Sequence, residues 1–289
     1  MAHTTLVSTD DLFSHLSNPD WVVFDCRHDL MDVAAGSRAY GSEHIPGARF
    51  AHLDETLSGP KSGSNGRHPL PDVVEFSKWL SGQGVDLRKQ VVTYDASGGY
   101  YAARMWWMLR WLGHDSVAVL DGGLPKWKNE GRAQTRAAPR IEPSTFTPRR
   151  RDALRVDAAG VLANLRSPGM LIVDARTPER FAGLNETMDP VGGHIPGAIN
   201  RLFQLNLENA GTFKAPAVLR REFNDLMRGH APEQIVHQCG SGVTACHNLL
   251  AMEAAGLRGS RLYPGSWSEW CADPARPVDP RPVKAPASR

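Results

Sequence analysis

The chain has 289 residues, room for two domains of ordinary size, and its 41% apolar fraction is that of a soluble globular protein. A formal net charge of +2 is too near neutral to point to nucleic acid, and no apolar run is long enough to span a bilayer. Four cysteines are too few for a disulfide scaffold and show no zinc-site spacing, and Met1 to Asp20 carries three Asp and no basic leader. The expectation is a cytoplasmic protein with reduced thiols, no metal and no cofactor.

In chain order, the pattern predicts a helix near 9–16, then a strand over Trp21-Val22-Val23-Phe24-Asp25 closing in Asp25-Cys26-Arg27. His44-Ile45-Pro46-Gly47-Ala48 follows. A helix is expected near 72–82, a strand near 91–95, a helix near 99–112 and a strand near 117–120. Trp106, Trp107 and Trp111 mark the core face of the third helix. Gly131 to Arg151, with Pro139, Pro143 and Pro148, reads as an extended linker. Its Arg149-Arg150-Arg151 run reads as a solvated face, because no aromatic residues are interleaved with it. Beyond it come strands near 171–174, 235–238 and 260–263, and a helix from Val243 to Met252 stopped by Gly256. The tail from Asp273 to Arg289, rich in Pro and basic residues, is expected to pack loosely or fray.

The chain is internally duplicated. His44-Ile45-Pro46-Gly47-Ala48 recurs 150 residues later as His194-Ile195-Pro196-Gly197-Ala198. An apolar run ending in Asp-x-Arg precedes each copy, with Asp174-Ala175-Arg176 matching Asp25-Cys26-Arg27. A Gly-to-Trp turn follows each, Gly122 to Trp127 and Gly265 to Trp270. Two copies make a tandem pair of domains rather than a solenoid. Short strands alternating with helices predict an α/β fold in which each domain is a mainly parallel sheet flanked by helices. The expected division is 1–135, a linker over 136–152, and 153–289. Ligands bind at the carboxyl ends of the strands in such sheets.

Cys239 stands at one such end. Ile235-Val236-His237-Gln238 leads into Cys239-Gly240-Ser241-Gly242-Val243-Thr244-Ala245, and a helical pattern begins there. The thiolate is the nucleophile of cysteine chemistry, and a helix N-terminus favours it. Gly240 and Gly242 allow backbone angles closed to other residues, so that successive amides can form an anion-binding nest. Nucleophilic chemistry at Cys239 is the expectation. The same alignment places Asp95 where Cys239 stands, so the first half lacks a nucleophile and reads as a wall of the cleft. A carboxylate in such a nest can hold the loop's shape but cannot carry sulfur.

These motifs resemble the rhodanese superfamily, specifically its two-domain sulfurtransferases, over roughly residues 5–280. The Cys239-Gly240-Ser241-Gly242-Val243-Thr244 loop and the closing Tyr263-Pro264-Gly265-Ser266-Trp267-Ser268-Glu269-Trp270 carry the resemblance. It implies that Cys239 takes sulfur from a small anionic donor, as a persulfide, and hands it to cyanide or a thiol, such as that of a thioredoxin-like protein. It implies that the loop residues Gly240, Gly242, Val243 and Thr244 line the donor site. It also implies that Ser241 works with His68 and Asp54 of the first half, and that Arg180 holds the donor's anionic end. Taken alone, His68 reads as a surface histidine of a Pro-rich loop, Asp54 as a solvated acid and Ser241 as a loop hydrogen-bonder. The mercaptopyruvate enzymes carry a second arginine where this chain has Asn185-Glu186-Thr187-Met188-Asp189-Pro190. Losing that contact weakens carboxylate binding by about 1.5–3 kcal/mol, so thiosulfate and 3-mercaptopyruvate both stay open as donors.

Arg176 reads as structural, because its Asp-x-Arg context recurs at Arg27. His44 and His194 read as turn residues, Cys26 and Cys246 as packing, and Cys271 as a redox partner if exposed. A cysteine-dependent phosphatase is the rival with a similar loop, but it needs an arginine closing that loop, where Ala245 stands. A non-enzymatic persulfide carrier serving a protein partner would show the same residues.

Overall fold

The computed structural model describes residues 2–279. The first half runs β1 (Leu6–Val7), α1 (Thr9–His15), β2 (Trp21–Asp25), α2 (Ala35–Ser42), β3 (Arg49–Phe50), α3 (Val73–Gly82), β4 (Gln90–Tyr94), α4 (Tyr100–Trp111), β5 (Val117–Leu120) and α5 (Gly123–Asn129). The second half runs α6 (Ala158–Arg166), β6 (Leu171–Asp174), α7 (Pro178–Phe181), β7 (Ile199–Asn200), α8 (Pro216–Met227), β8 (Ile235–Gln238), α9 (Ala245–Ala254), β9 (Arg261–Leu262) and α10 (Ser266–Trp270).

Every strand pairing is parallel, in the orders β1-β5-β4-β2-β3 and β7-β6-β8-β9. Strands covered by helices on both faces need apolar side chains pointing both ways. That is why β2, β4, β6 and β8 each carry adjacent apolar residues and are almost wholly buried, with His237 and Gln238 the buried polar exceptions in β8. A parallel bridge from Arg155 to Leu262 stands where the first sheet has β1. Side chains fix where the helices start. Ser8 caps α1, and the Asp72 carboxylate accepts from the amides of Val74 and Glu75 at the start of α3.

The Asp-x-Arg pairs lock the strand ends. Arg27 donates to the buried Asp25 carboxylate (2.6 Å) and to the Glu43 carbonyl (2.6 Å). Arg176 repeats this on Asp174 (2.7 Å) and the Gly193 carbonyl (2.7 Å). His44 and His194 bind main-chain carbonyls at the turns that follow, at Tyr40 and Phe181 respectively.

Gly131 to Arg151 has neither helix nor strand, but it is not free of the first half. Phe146 is buried, and the amides of Ser144, Arg149 and Arg151 donate to carbonyls of Ser81, Leu112 and Trp111. Arg151 forms a two-pronged pair with Asp115 at 2.7 Å, while Arg150 pairs with Asp152. The tail is described only to Asp279, whose backbone pairs with His194, so residues 273–279 are docked there; the remainder of the expected loose tail lies outside the described residues.

Helices α4 and α9 pack on each other across the two halves. One apolar core runs through both, joining Met105, Trp107 and Leu109 to Leu249, Leu250 and Met252. The carboxyl ends of β4 and β8, and the loops that follow them, lie beside this contact.

Candidate active site

Cys239 follows β8 directly and is 2% exposed, at the floor of a cleft of about 200 Å³. Its loop is held from outside by the start of α10. The Cys239 amide donates to Ser266 Oγ (3.1 Å), whose hydroxyl donates to the Tyr263 carbonyl (2.9 Å). The amides of Trp267 and Ser268 donate to the carbonyls of Cys239 and Gly240, each at 3.0 Å. Ser266 has a φ of 54°, an uncommon backbone state for a residue with a Cβ. Gly242 has a φ of 78°, and a Cβ there would lie 2.1 Å from the Pro264 carbonyl oxygen. Only glycine fits that position. Among the described residues no hydrogen bond takes the amides of residues 240–244, so they remain available to an anion.

The first half shows what such a loop holds. Asp95 follows β4 as Cys239 follows β8. Its buried carboxylate accepts from four amides, those of Ser97 (2.7 Å), Gly99 (2.9 Å), Tyr101 (2.9 Å) and Ala102 (3.0 Å). A fixed anion of the protein's own fills the first cradle, and a sulfur atom stands at the second.

Three residues far apart in sequence meet beside the cysteine loop. His68 Nδ1 lies 2.7 Å from Ser241 Oγ, and His68 Nε2 lies 3.6 Å from Asp54 Oδ1. The second contact is longer than a hydrogen bond. Asp54 also receives Lys61 Nζ at 3.0 Å and faces His28 Nε2 at 3.6 Å. With Nε2 turned to the carboxylate, the tautomer protonated there leaves Nδ1 to accept the Ser241 hydroxyl proton. Burial pulls the His68 pKa down to about 3 against the pull of Asp54, so the ring is neutral near pH 7. Burial pushes the Asp54 carboxyl up; the Lys61 ammonium and the neighbouring imidazoles outweigh it and leave Asp54 below its usual range.

His68 is 4% exposed, so its lone reading as a surface histidine is corrected. The cover comes from the other half, through Ser241, and from Arg104 on α4. Arg104 is fully buried and donates to the carbonyls of His68 (3.0 Å), Leu57 (3.3 Å) and Gly242 (3.1 Å). One guanidinium thus ties the histidine loop to the cysteine loop. Among the described residues no carboxylate pairs with it.

Arginines ring the cleft. Arg180 sits in α7 and reaches over Gly240, where a Cβ would lie 3.5 Å from its Nη1. Arg67 reaches the same spot from the first half, 2.7 Å from that Cβ through Nη2, and its amide donates to Ser268 Oγ (3.0 Å). Arg176 lines the cleft too, with its Nη1 buried and without a hydrogen bond. Its role is therefore wider than the strand lock alone. Arg67 brings a further arginine to a cleft to which the 185–190 stretch contributes none. Acids answer these cations. Glu186 takes the Arg180 fork (2.9 and 3.0 Å), and Asp189 contacts both Arg180 (3.0 Å) and Arg67.

The cleft thus gathers Cys239, Gly240, Ser241, Val243, Thr244 and Arg180, with Arg67 from the first half; His68, Asp54 and Gly242 do not line it, and His68 meets it through Ser241. Arg67, Arg104, Glu186 and Asp189 were not singled out from sequence. Arg67 precedes His68 directly, and that adjacency was the available signal. Of the other cysteines, Cys246 packs under the loop with its thiol 3.4 Å from the Gly242 carbonyl. Burial pushes Cys246 up to about 12 and Cys271 up to about 11, and Cys271 is buried rather than exposed, against the reading of a surface redox partner.

A thiol at a strand end, beneath unpaired amides and between arginines, defines an enzyme that moves a small group through sulfur. The chain belongs to the rhodanese family: the Rhodanese-like domain model matches residues 8–130 and 157–273. It is 47% identical over 280 residues to a probable 3-mercaptopyruvate sulfurtransferase of Pseudomonas aeruginosa, covering 96% of this chain and 99% of that one. It is 35% identical to the thiosulfate sulfurtransferase of Rattus norvegicus, covering 93% and 92%. Among solved structures, the 3-mercaptopyruvate sulfurtransferase of Leishmania major superposes with a TM-score of 0.82 at 29% identity, over 92% of this chain and 74% of that one. The 3-mercaptopyruvate sulfotransferase SseA of Escherichia coli does so at 0.78 and 30% identity, over 92% and 99%. The protein is a sulfurtransferase of two rhodanese domains. Among the described residues no helix is long and apolar enough to cross a membrane.

Proposed function

We propose that the donor is 3-mercaptopyruvate rather than thiosulfate, that Cys239 carries the sulfur, and that Ser241, His68 and Asp54 move the proton the reaction needs. The Cys239 thiolate attacks the donor's thiol sulfur. The carbon–sulfur bond breaks with its electron pair going to carbon, which leaves the enolate of pyruvate. The thiol proton passes to that enolate, and Cys239 is left as a persulfide anion. An acceptor thiol, or cyanide, then takes the outer sulfur and regenerates the thiolate. A thioredoxin-like protein is one acceptor of the right chemistry.

The observation that carries this reading is the 2.7 Å contact between His68 and Ser241 beside the cysteine loop. Sulfur leaves thiosulfate with release of sulfite, and no proton is needed. Sulfur leaves mercaptopyruvate only if an enolate is protonated, so a proton relay is useful for that donor alone. Arg180 and Arg67 are assigned the donor carboxylate, and Gly240, Gly242, Val243 and Thr244 the wall and the amides that face sulfur. The test is side-by-side cyanolysis with both donors. Cys239→Ser abolishes thiocyanate formation from either. His68→Gln lowers mercaptopyruvate turnover about 100-fold, the usual worth of a positioned acid–base group, and thiosulfate turnover far less. Equal losses for both donors would refute the assignment.

A further inference from the structure

The donor-anion site between Arg67 and Arg180 is already filled by a carboxylate of the chain. Asp189 contacts both guanidiniums, its side chain is 3% exposed, and it stands on a loop folded around Glu186, whose carboxylate accepts from the amides of Met188 (2.9 Å) and Asp189 (3.2 Å). Three guanidiniums meet here, Arg67, Arg176 and Arg180, and they face Asp174, Glu186 and Asp189. The cluster is charge-balanced before any donor arrives. Yet it is not saturated with hydrogen bonds, since Arg67 Nε and Arg176 Nη1 are buried donors without one, although Arg176 Nη1 stands 3.6 Å from Glu186 Oε2.

We propose that Asp189 occupies the place of the donor's anionic group, that a donor binds by displacing it from Arg67 and Arg180, and that this exchange selects monoanionic carboxylate donors over dianions. The inference rests on the assignment of Arg67 and Arg180 to the donor. Exchanging one carboxylate for another keeps the charge balance. A dianion brings one negative charge more than it displaces, next to Glu186, and an uncompensated charge in a buried cluster is strongly unfavourable. The two unpartnered donors give an incoming carboxylate contacts that Asp189 does not make.

The test uses Asp189→Asn, which keeps the shape and removes the charge. Its KM falls for both donors, and the ratio of kcat/KM for thiosulfate to that for mercaptopyruvate rises about tenfold, as removal of one like charge implies. A KM that rises for both, or an unchanged ratio, would mean that Asp189 only props the arginines, and the proposal fails. The unmodified protein gives a second measurement. Pyruvate protects Cys239 from alkylation by iodoacetamide at about tenfold lower concentration than sulfate does. Sulfate protecting as well as pyruvate would overturn the inference. Alkylation involves no sulfur transfer, so it decides the matter even if the donor assignment itself fails.

Discussion

Acid should destabilise this protein first in a window set by its buried histidines. Burial holds His68 and His237 down to about 3 and His247 down to about 4, from an ordinary value near 6.5. Their surroundings suit a neutral ring. His247 Nε2 donates to the Gly98 carbonyl (3.0 Å), while Nδ1 accepts from Asn206 Nδ2 (3.1 Å) and has no room for a proton. His237 Nε2 meets only the Met252 sulfur (3.1 Å). The unfolded chain therefore binds protons that the folded one refuses. Stability is at its full value above pH 6.5 and falls as pH drops from there toward the folded pKa values. Each ring costs about 1.4 kcal/mol per pH unit in that window, so the three together cost about 4 kcal/mol per unit. Against a total of about 5–15 kcal/mol, one unit matters. Carboxylates with depressed values, such as Asp86 at about 2, act only below the ordinary carboxylate range and in a separate window. Urea unfolding at about pH 7.5, 6.5 and 5.5 measures the slope, and His237→Leu should reduce it by about a third. Equal stability at the three values, or a loss confined below about pH 4, would refute the reasoning.

Four further variants test the construction of the cysteine loop and of the structure that supports it. Gly242→Ala places a Cβ 2.1 Å from the Pro264 oxygen in a left-handed backbone, so it displaces the cysteine loop and lowers thiocyanate formation at least tenfold. Gly197→Ala, at a φ of 76° with open space around it, has only the backbone cost of about 1–2 kcal/mol and keeps activity. Arg104→Met leaves the carbonyls of His68, Leu57 and Gly242 without their donor, and it lowers stability by about 3 kcal/mol or more, read by denaturant midpoint. Arg104→Lys restores part of that stability.

The strands that organise the molecule were legible because each carries adjacent apolar residues, Val22-Val23-Phe24, Val91-Val92, Leu171-Ile172-Val173 and Ile235-Val236. The duplication was legible for a different reason. Asp25–Arg27, Asp174–Arg176 and the two His-Ile-Pro-Gly turns solve the same local packing problem twice. Cys239 at a strand end could be read the same way. What could not be read was contact between the halves. Arg104 sits in a tryptophan-rich helix whose periodicity says core, and nothing in that pattern tells which residue crosses to another domain. His68 looked exposed because its cover comes from residues distant in sequence, Ser241 173 positions away and Arg104 36 positions away. Of the two-residue strands, β9 fell inside the strand expected near 260–263, while β1, β3 and β7 left no readable period.

The packing of α4 on α9 decides how well the reactive centre is aligned. Arg67, His68 and Arg104 arrive on one side of that seam and the sulfur-bearing loop on the other, so a slide between the two helices would misplace every reacting group at once. Misplacement by one ångström can cost a hundredfold in rate. The half that holds no nucleophile therefore sets the tolerance of the chemistry, and substitutions among Met105, Trp107, Leu249 and Leu250 should register in turnover before they register in folding.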